Sequence, residues 1–237
     1  MQRVLQDGAQ QFNLSLSEAQ LHAFDCYSQE LITWNQRVNL TSIIEPQEIV
    51  VKHFLDSLSV YQALSGLPPD LALIDVGSGA GFPGLPLKIV LPGLRLTLLE
   101  ATGKKTAFLH HLVQVLNLTG VTVLTARAEE AGRRPDQRER YDAAVARAVA
   151  PLPVLAEYTL PLVRVGGRVI VQKGQHPAEE IKAAANALGI LGGKVSQTLA
   201  VRVPGLDAER HVVVIQKNKA TPPQYPRRPG LPAKKPI

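Results

Sequence analysis

The chain has 237 residues, 45% of them hydrophobic and 19% charged, a globular balance that excludes disordered and collagen-like chains. Lysine and arginine outnumber the acids 26 to 20, and the net charge of +6 admits a partner that carries phosphates. The single cysteine, Cys26, excludes an internal disulfide framework and a cysteine-based zinc centre, and no apolar run reaches the roughly 18 residues of a membrane span.

Residues 1–70 read as a helical N-terminal extension. The stretch Met1 to Gln20 carries Asp7 and Glu18 and has no continuous apolar segment, so no signal peptide and a cytoplasmic location are expected. Ser15 and Glu18 have the spacing of a capping box, and Leu21, Phe24, Tyr27, Leu31 and Trp34 recur at helical intervals. A second helix is expected from Glu45-Pro46, with Val51, Leu55, Leu58 and Tyr61 on its buried face. Gly66-Leu67-Pro68-Pro69-Asp70 breaks this pattern. The extension holds three basic and eight acidic side chains.

Residues 71–216 change rhythm. Short apolar runs at 71–76, 95–100, 121–126, 142–146 and 167–172 read as strands, with helices over 104–116 and 153–163. Strands alternating with helices imply βαβ units, a parallel sheet and right-handed crossovers. Two further runs, 194–203 and 211–216, flank Pro204-Gly205-Leu206-Asp207 and predict an antiparallel hairpin at the sheet edge. This segment holds 17 basic and 12 acidic side chains. The final stretch, 217–237, holds six basic side chains, no acidic ones and six of the 18 prolines, so an extended tail is expected. It is either a solvated terminus or an arm that follows a phosphate backbone.

Chemistry concentrates at the end of the first strand, in Asp75-Val76-Gly77-Ser78-Gly79-Ala80-Gly81-Phe82-Pro83-Gly84. Gly77, Gly79 and Gly81 supply positive φ and close backbone approach, and the following helix offers unpaired N–H donors. Glu100 ends the second strand, 23 residues after Gly77, where a carboxylate can accept both hydroxyls of an adenosine ribose. Gly79 to Gly84 matches the dinucleotide pattern G-x-G-x-x-G, but that pattern normally starts where the strand ends. Counted from Gly77 the loop reads G-x-G-x-G with Phe82 in the third glycine's place, and so resembles motif I of class I S-adenosylmethionine-dependent methyltransferases.

Later positions carry two readings each. Ala128-Glu129 follows the third strand, where such enzymes contact adenine; Glu129 is also a good helix N-terminal acid. Arg147 follows the fourth strand at the ligand-binding edge, or pairs with Asp142 or Glu157. His53 and Asp56, three apart, either line a site or stabilise each other, and Asn39 and Thr41 line a site or cap a turn. After the fourth strand, Arg147-Ala148-Val149-Ala150-Pro151-Leu152-Pro153 lacks the amide or carboxylate that holds an exocyclic amine. Cys26 lies in the helical extension, away from a nucleophile's place for pyrimidine carbon-5. Guanine N7 has an in-plane lone pair and no proton to lose, which suits catalysis by alignment, with Arg147 or Lys173 orienting O6.

The ordered set of motifs resembles the ribosomal RNA small-subunit methyltransferase G family, also called glucose-inhibited division protein B. Beyond 75–87, the resemblance rests on Asn39-Leu40-Thr41, His53 to Leu58, Lys104-Lys105, Arg127-Ala128-Glu129, Tyr141-Asp142, Arg147-Ala148, Lys173-Gly174 and Tyr225-Pro226-Arg227. It implies an α/β, Rossmann-like class I methyltransferase fold with a seven-stranded, mostly parallel sheet. It also implies methylation of N7 of one 16S rRNA guanine with S-adenosyl-L-methionine (SAM) as co-substrate and no metal. The implied cofactor contacts are Gly77, Gly79, Gly81, Phe82, Glu100, Ala101, Thr102, Gly103, Ala128, Glu129 and Arg147. Asn39, His53, Asp56, Lys104, Arg210 and Arg227 are the candidate substrate contacts, with Arg147 and Lys173 positioning the guanine. The expected partner is the small ribosomal subunit, bound by a monomer, and loss of the tail is expected to weaken RNA binding while sparing cofactor affinity. Arg133-Arg134-Pro135-Asp136-Gln137-Arg138 departs from the family pattern as a longer loop. The alternatives are a class I methyltransferase with another acceptor, a nicotinamide-dependent oxidoreductase and a non-catalytic nucleic-acid-binding module.

Overall fold

The structure is a computed structural model that describes residues 1–147, 149–174 and 176–237; Ala148, part of the Arg147-Ala148 motif, lies outside them. The chain opens with α1 (Gln2–Gln10) and α2 (Glu18–Asn35). The capping box of α2 is Ser17 with Gln20, not Ser15 with Glu18: the Ser17 hydroxyl accepts from Gln20 N and the Gln20 side chain accepts from Ser17 N. Both pairs fit the spacing, and burial decides between them. With Ser17 as the cap, Leu16 and Leu21 fall at the staple positions on either side of it, and both are buried.

The second helical stretch is broken rather than continuous. It comprises α3 (Pro46–Ile49), a π-helical turn (Val50–Leu55), α4 (Asp56–Leu58) and a 3-10 turn (Ser59–Leu64). The wider π turn shifts the buried face, so Val50 and Phe54 are fully buried while the expected Val51 and Tyr61 are only half-buried. Leu55 and Leu58 are buried as expected.

Then follow β1 (Ala72–Val76), α5 (Gly84–Val90), β2 (Arg95–Glu100), α6 (Gly103–Val115), β3 (Val121–Thr125), α7 (Ala128–Ala131), β4 (Tyr141–Arg147) and α8 (Leu152–Thr159). The chain continues through β5 (Val163–Lys173), α9 (Pro177–Ala183), α10 (Ala185–Leu191), β6 (Gly193–Val201), β7 (Arg210–Lys217) and α11 (Leu231–Lys234). The seven strands order as β3-β2-β1-β4-β5-β7-β6. Strands β1 to β5 pair in parallel, and β7 runs antiparallel to both β5 and β6. The order reverses at β1, whose neighbours are β2 and β4, so a crevice opens at the carboxyl ends of these strands. On one face, residues of the N-terminal helices (Phe24, Tyr27, Leu31, Phe54) share a core with Leu73, Leu98 and Val145 of the sheet. On the other, α8 and α10 cover Ile74, Ala144, Val169 and Val213.

The stretch from Lys217 onward folds back instead of extending. Lys217 ends β7 fully buried, and its ammonium donates to Glu139 Oε1 at 3.1 Å, Leu160 O and Thr221 Oγ1. The long 133–138 loop supplies its dock: Arg133 Nε donates to Pro226 O, and Arg138 donates to Thr221 O and Tyr225 O, each at 2.7 Å. Carbonyls with no strand partner are thereby satisfied.

Candidate active site

A cleft of about 400 Å³ lies over the carboxyl ends of β1, β2 and β4. Its floor is the turn after β1, where Gly77, Gly79 and Gly81 have φ of +75°, +58° and +100°. A Cβ on Gly81 would fall 2.5 Å from Leu85 and 2.6 Å from the Tyr27 hydroxyl, so only glycine fits there. A Cβ on Gly79 would meet only Gly77 O, at 3.9 Å, and would project into open space. Beneath the turn, Asp75 Oδ2 accepts from Gly84 N at 2.9 Å while Oδ1 is buried without a partner. Burial pushes the Asp75 carboxyl up to about 7.

One end of the cleft is built around Glu100. Its carboxylate accepts from Gly79 N at 3.0 Å and Thr102 N at 2.8 Å, one amide on each oxygen, which fixes the group at the end of β2. Each oxygen keeps a further lone pair for a ligand. Ala101, Ala128, Glu129, Arg127 and Tyr158 complete this end. Glu129 is buried in the first turn of α7, and its Oε1 accepts from Gly230 N at 2.8 Å, so the folded-back C-terminal stretch holds a wall of the cleft.

The other end joins the N-terminal helices to β4. The Phe82 ring stacks on His53 at 4.5 Å and on Tyr27 at 5.3 Å, and the Arg147 guanidinium lies 4.9 Å from its centroid. Arg147 Nη1 donates to Asp56 Oδ2 at 2.9 Å and to Lys52 O at 3.1 Å, and Nη2 faces His53 Nδ1 at 3.2 Å. Arg210 Nε donates to the second Asp56 oxygen at 3.2 Å, and Gln172 Nε2 donates to Asp56 O at 2.6 Å. The partner of Arg147 is therefore Asp56. Asp142 instead pairs with Arg164, and Glu157 with Arg227. His53 and Asp56 meet through Arg147 rather than each other. Burial, reinforced by Arg147, pushes His53 down to about 4, so the ring is neutral at pH 7.

Of the residues singled out in the sequence, Gly77, Gly79, Phe82, Glu100, Ala101, Ala128, Glu129, Arg147 and His53 line the cleft. Gly81, Thr102, Asp56 and Arg210 do not line it: Gly81 shapes the turn, the exposed Thr102 donates its N–H to Glu100, Asp56 holds Arg147, and Arg210 holds Asp56. Gly103 opens α6, and the adjacent Lys104 is exposed, while Lys105 reaches the cleft. Asn39 is exposed, and the turn it was read to cap is organised by Asn35, whose Oδ1 accepts from Leu40 N and Thr41 N. Lys173 pairs with Glu180 at 2.6 Å and donates to Ala150 O. Arg227 is held by Glu157. Sequence reasoning passed over Val149 and Tyr158, apolar and aromatic residues whose places on the wall only the tertiary fold fixes.

A family model described as GidB, rRNA small subunit methyltransferase G, matches residues 20–213. A protein of Roseiflexus castenholzii named ribosomal RNA small subunit methyltransferase G is 53% identical over 97% of this chain and 97% of its own length. One of Acetivibrio thermocellus with the same name is 46% identical over 100% of this chain and 97% of its own. Among solved structures, a geranyl diphosphate methyltransferase in complex with SAM matches 69% of this chain and 85% of its own. Its TM-score is 0.54 and its identity 11%, a likeness of fold alone. With a glycine turn that begins where β1 ends and relatives that span the whole chain, the protein belongs to the GidB family, the rRNA small subunit methyltransferases G, and is a methyltransferase.

Proposed function

We propose that the chain transfers a methyl group from SAM to N7 of a guanine in 16S rRNA of the small ribosomal subunit, in the cytoplasm. The observation that carries this reading is the pairing, in one cleft, of the Glu100 carboxylate with the open Gly79 turn, in a chain whose relatives are named as small-subunit rRNA methyltransferases.

The residues fit SAM. The free lone pairs on Glu100 suit the two ribose hydroxyls, and the space beside Gly79 admits a ligand that any Cβ would crowd. Gly77, Phe82, Ala101, Ala128, Glu129 and Arg147 would complete the contacts. Bound SAM supplies a methyl group on a sulfonium sulfur, whose release leaves a neutral thioether. The chain's task is then alignment. An attacking N7 has its lone pair in the ring plane and loses no proton, so no general base is needed. The neutral His53 at the Arg147 end is a weak base and serves better as a hydrogen-bonding spacer. Phe82, stacked on Tyr27 and on His53, gives this end an apolar floor against which a flat ring can be aligned.

The test is direct. The protein is incubated with labelled SAM and small subunits that lack the modification, and the labelled base is mapped by mass spectrometry. Label on guanine N7 is expected; label on an exocyclic amine or on protein would overturn the reading. Calorimetry should detect binding of SAM and none of NAD.

A further inference from the structure

Thr41 sits at the Arg147 end of the cleft with its hydroxyl oxygen fully engaged. Ile43 N donates to Thr41 Oγ1 at 3.0 Å, and His53 Nε2 lies 2.8 Å from the same atom. The direction of the second bond follows from Arg147. A guanidinium can only donate, and Arg147 Nη2 faces His53 Nδ1 at 3.2 Å. A proton on Nδ1 would set two donors against each other. Lys52 O also lies 3.2 Å from Nδ1 and has a lone pair to spare beside the one that takes Arg147 Nη1, so the contact that decides the tautomer is that of Arg147 Nη2, which requires an acceptor at Nδ1. The imidazole proton therefore resides on Nε2 and is donated to Thr41. Both lone pairs of Thr41 Oγ1 are filled, so its own hydrogen has to be donated away from these partners. Thr41 lines the cleft, and its backbone is pinned by Asn35, which accepts from its N–H at 3.0 Å and donates to its C=O at 2.9 Å.

We infer that Thr41 is a specificity-determining residue whose hydroxyl donates to guanine O6, the carbonyl oxygen beside the methyl-accepting N7. This rests on the guanine-N7 reading above. Arg147 commits three of its five N–H donors to Asp56, Lys52 O and His53, and the Lys173 ammonium commits two of its three to Glu180 and Ala150 O, so both are anchored cations with donors left over. What distinguishes Thr41 is that its hydroxyl hydrogen, which no partner among the described residues takes, has its direction fixed by the relay from Arg147 through His53. A fixed donor favours a purine with an oxygen at position 6, since an exocyclic amine there would place donor against donor.

The experiment measures methylation of unmodified small subunits by wild type, Thr41→Val and Thr41→Ser, with SAM affinity by calorimetry. Thr41→Val is expected to lower kcat/KM by about tenfold to a hundredfold, the consequence of one lost oriented hydrogen bond, with SAM affinity unchanged. Thr41→Ser, which keeps the donor, is expected to restore most of the rate. Independently, the ¹⁵N spectrum of wild-type His53 should show the Nε2–H tautomer, a readout that needs no variant to fold. A Thr41→Val rate equal to wild type, a loss that tracks SAM affinity, or a proton on Nδ1 would overturn the inference. If wild-type enzyme methylates an atom other than guanine N7, the underlying reading fails instead.

Discussion

Arg227 offers the sharpest test of what the C-terminal stretch does. Its Nε donates to both oxygens of Glu157, at 3.0 and 3.1 Å, its Nη2 donates to Oε2 at 2.7 Å, and its own N–H donates to Oε1 at 2.7 Å. The Glu157 side chain, on α8, is 1% exposed and that of Arg227 is 23% exposed. In Arg227→Ala the carboxylate stays buried and keeps only the backbone donor. Breaking a buried pair costs about 3–5 kcal/mol, and the surviving amide argues for the lower end, about 3 kcal/mol. For a chain of this length that corresponds to a fall in melting temperature of about 6–12 °C, read by calorimetry. Replacing both partners in Arg227→Met/Glu157→Met should recover most of the loss, because no charge is then left stranded. A phosphate contact predicts a different signature: an unchanged melting temperature and a salt dependence of RNA binding reduced by about one counterion. That second pattern would refute the structural role and restore Arg227 to the substrate surface.

Three further outcomes follow from the cleft. Deleting residues 229–237 removes the Gly230 amide from Glu129 and is expected to weaken SAM binding about tenfold by calorimetry, the reverse of a tail that spares the cofactor; unchanged affinity would refute this. Glu100→Ala should lower SAM affinity at least about thirtyfold, through the lost charge-assisted bonds to ribose and the released Gly79 amide; a smaller effect would remove Glu100 from the ribose site. The pH dependence carries two opposed signs. His53 falls from 6.5 unfolded to about 4 folded, so its contribution is present above pH 6.5 and is lost as pH falls towards 4, by about 3 kcal/mol. Asp75 rises from 3.8 to about 7, so its contribution is present below pH 3.8 and is lost as pH climbs through 7. Relative to wild type, His53→Asn should gain stability on acidification from pH 6.5 to 4. Asp75→Asn should gain it as pH rises from 4 to 7. Flat difference curves in denaturant titrations would refute both assignments.

The parallel sheet was legible because its strands are short apolar runs between glycine and proline punctuation, and Arg95–Glu100 matches the expected strand to the residue. The turn at Gly77, Gly79 and Gly81 was legible for the same kind of reason, since positive φ is written in residue type. What escaped depends on partners distant in sequence. A π turn has no residue signature, so the broken stretch at 50–55 read as one helix with a displaced buried face. Arg147 was placed at the cleft, but its partner was sought in Asp142 and Glu157, nearer in sequence, whereas Asp56 lies 91 residues away. Lysines and arginines in a proline-rich stretch read as a solvated arm because nothing local shows that Glu139 and Glu157 wait for them.

Those pairings also change what the charge distribution means. The acidic extension and the basic sheet region cancel in number, and the structure joins them at the site: Asp56 of the extension takes Arg147 on one oxygen and Arg210 on the other. A side chain so paired is 6% exposed, and removing it would strand two cations beside the cleft, so the extension is part of the scaffold of the cleft rather than an appendage. The tail's excess shrinks by the same logic. Lys217 and Arg227 are spent on Glu139 and Glu157, while Lys219, Arg228, Lys234 and Lys235 remain exposed. Arg228, Lys234 and Lys235 flank Gly230, whose amide holds Glu129 in the cleft wall.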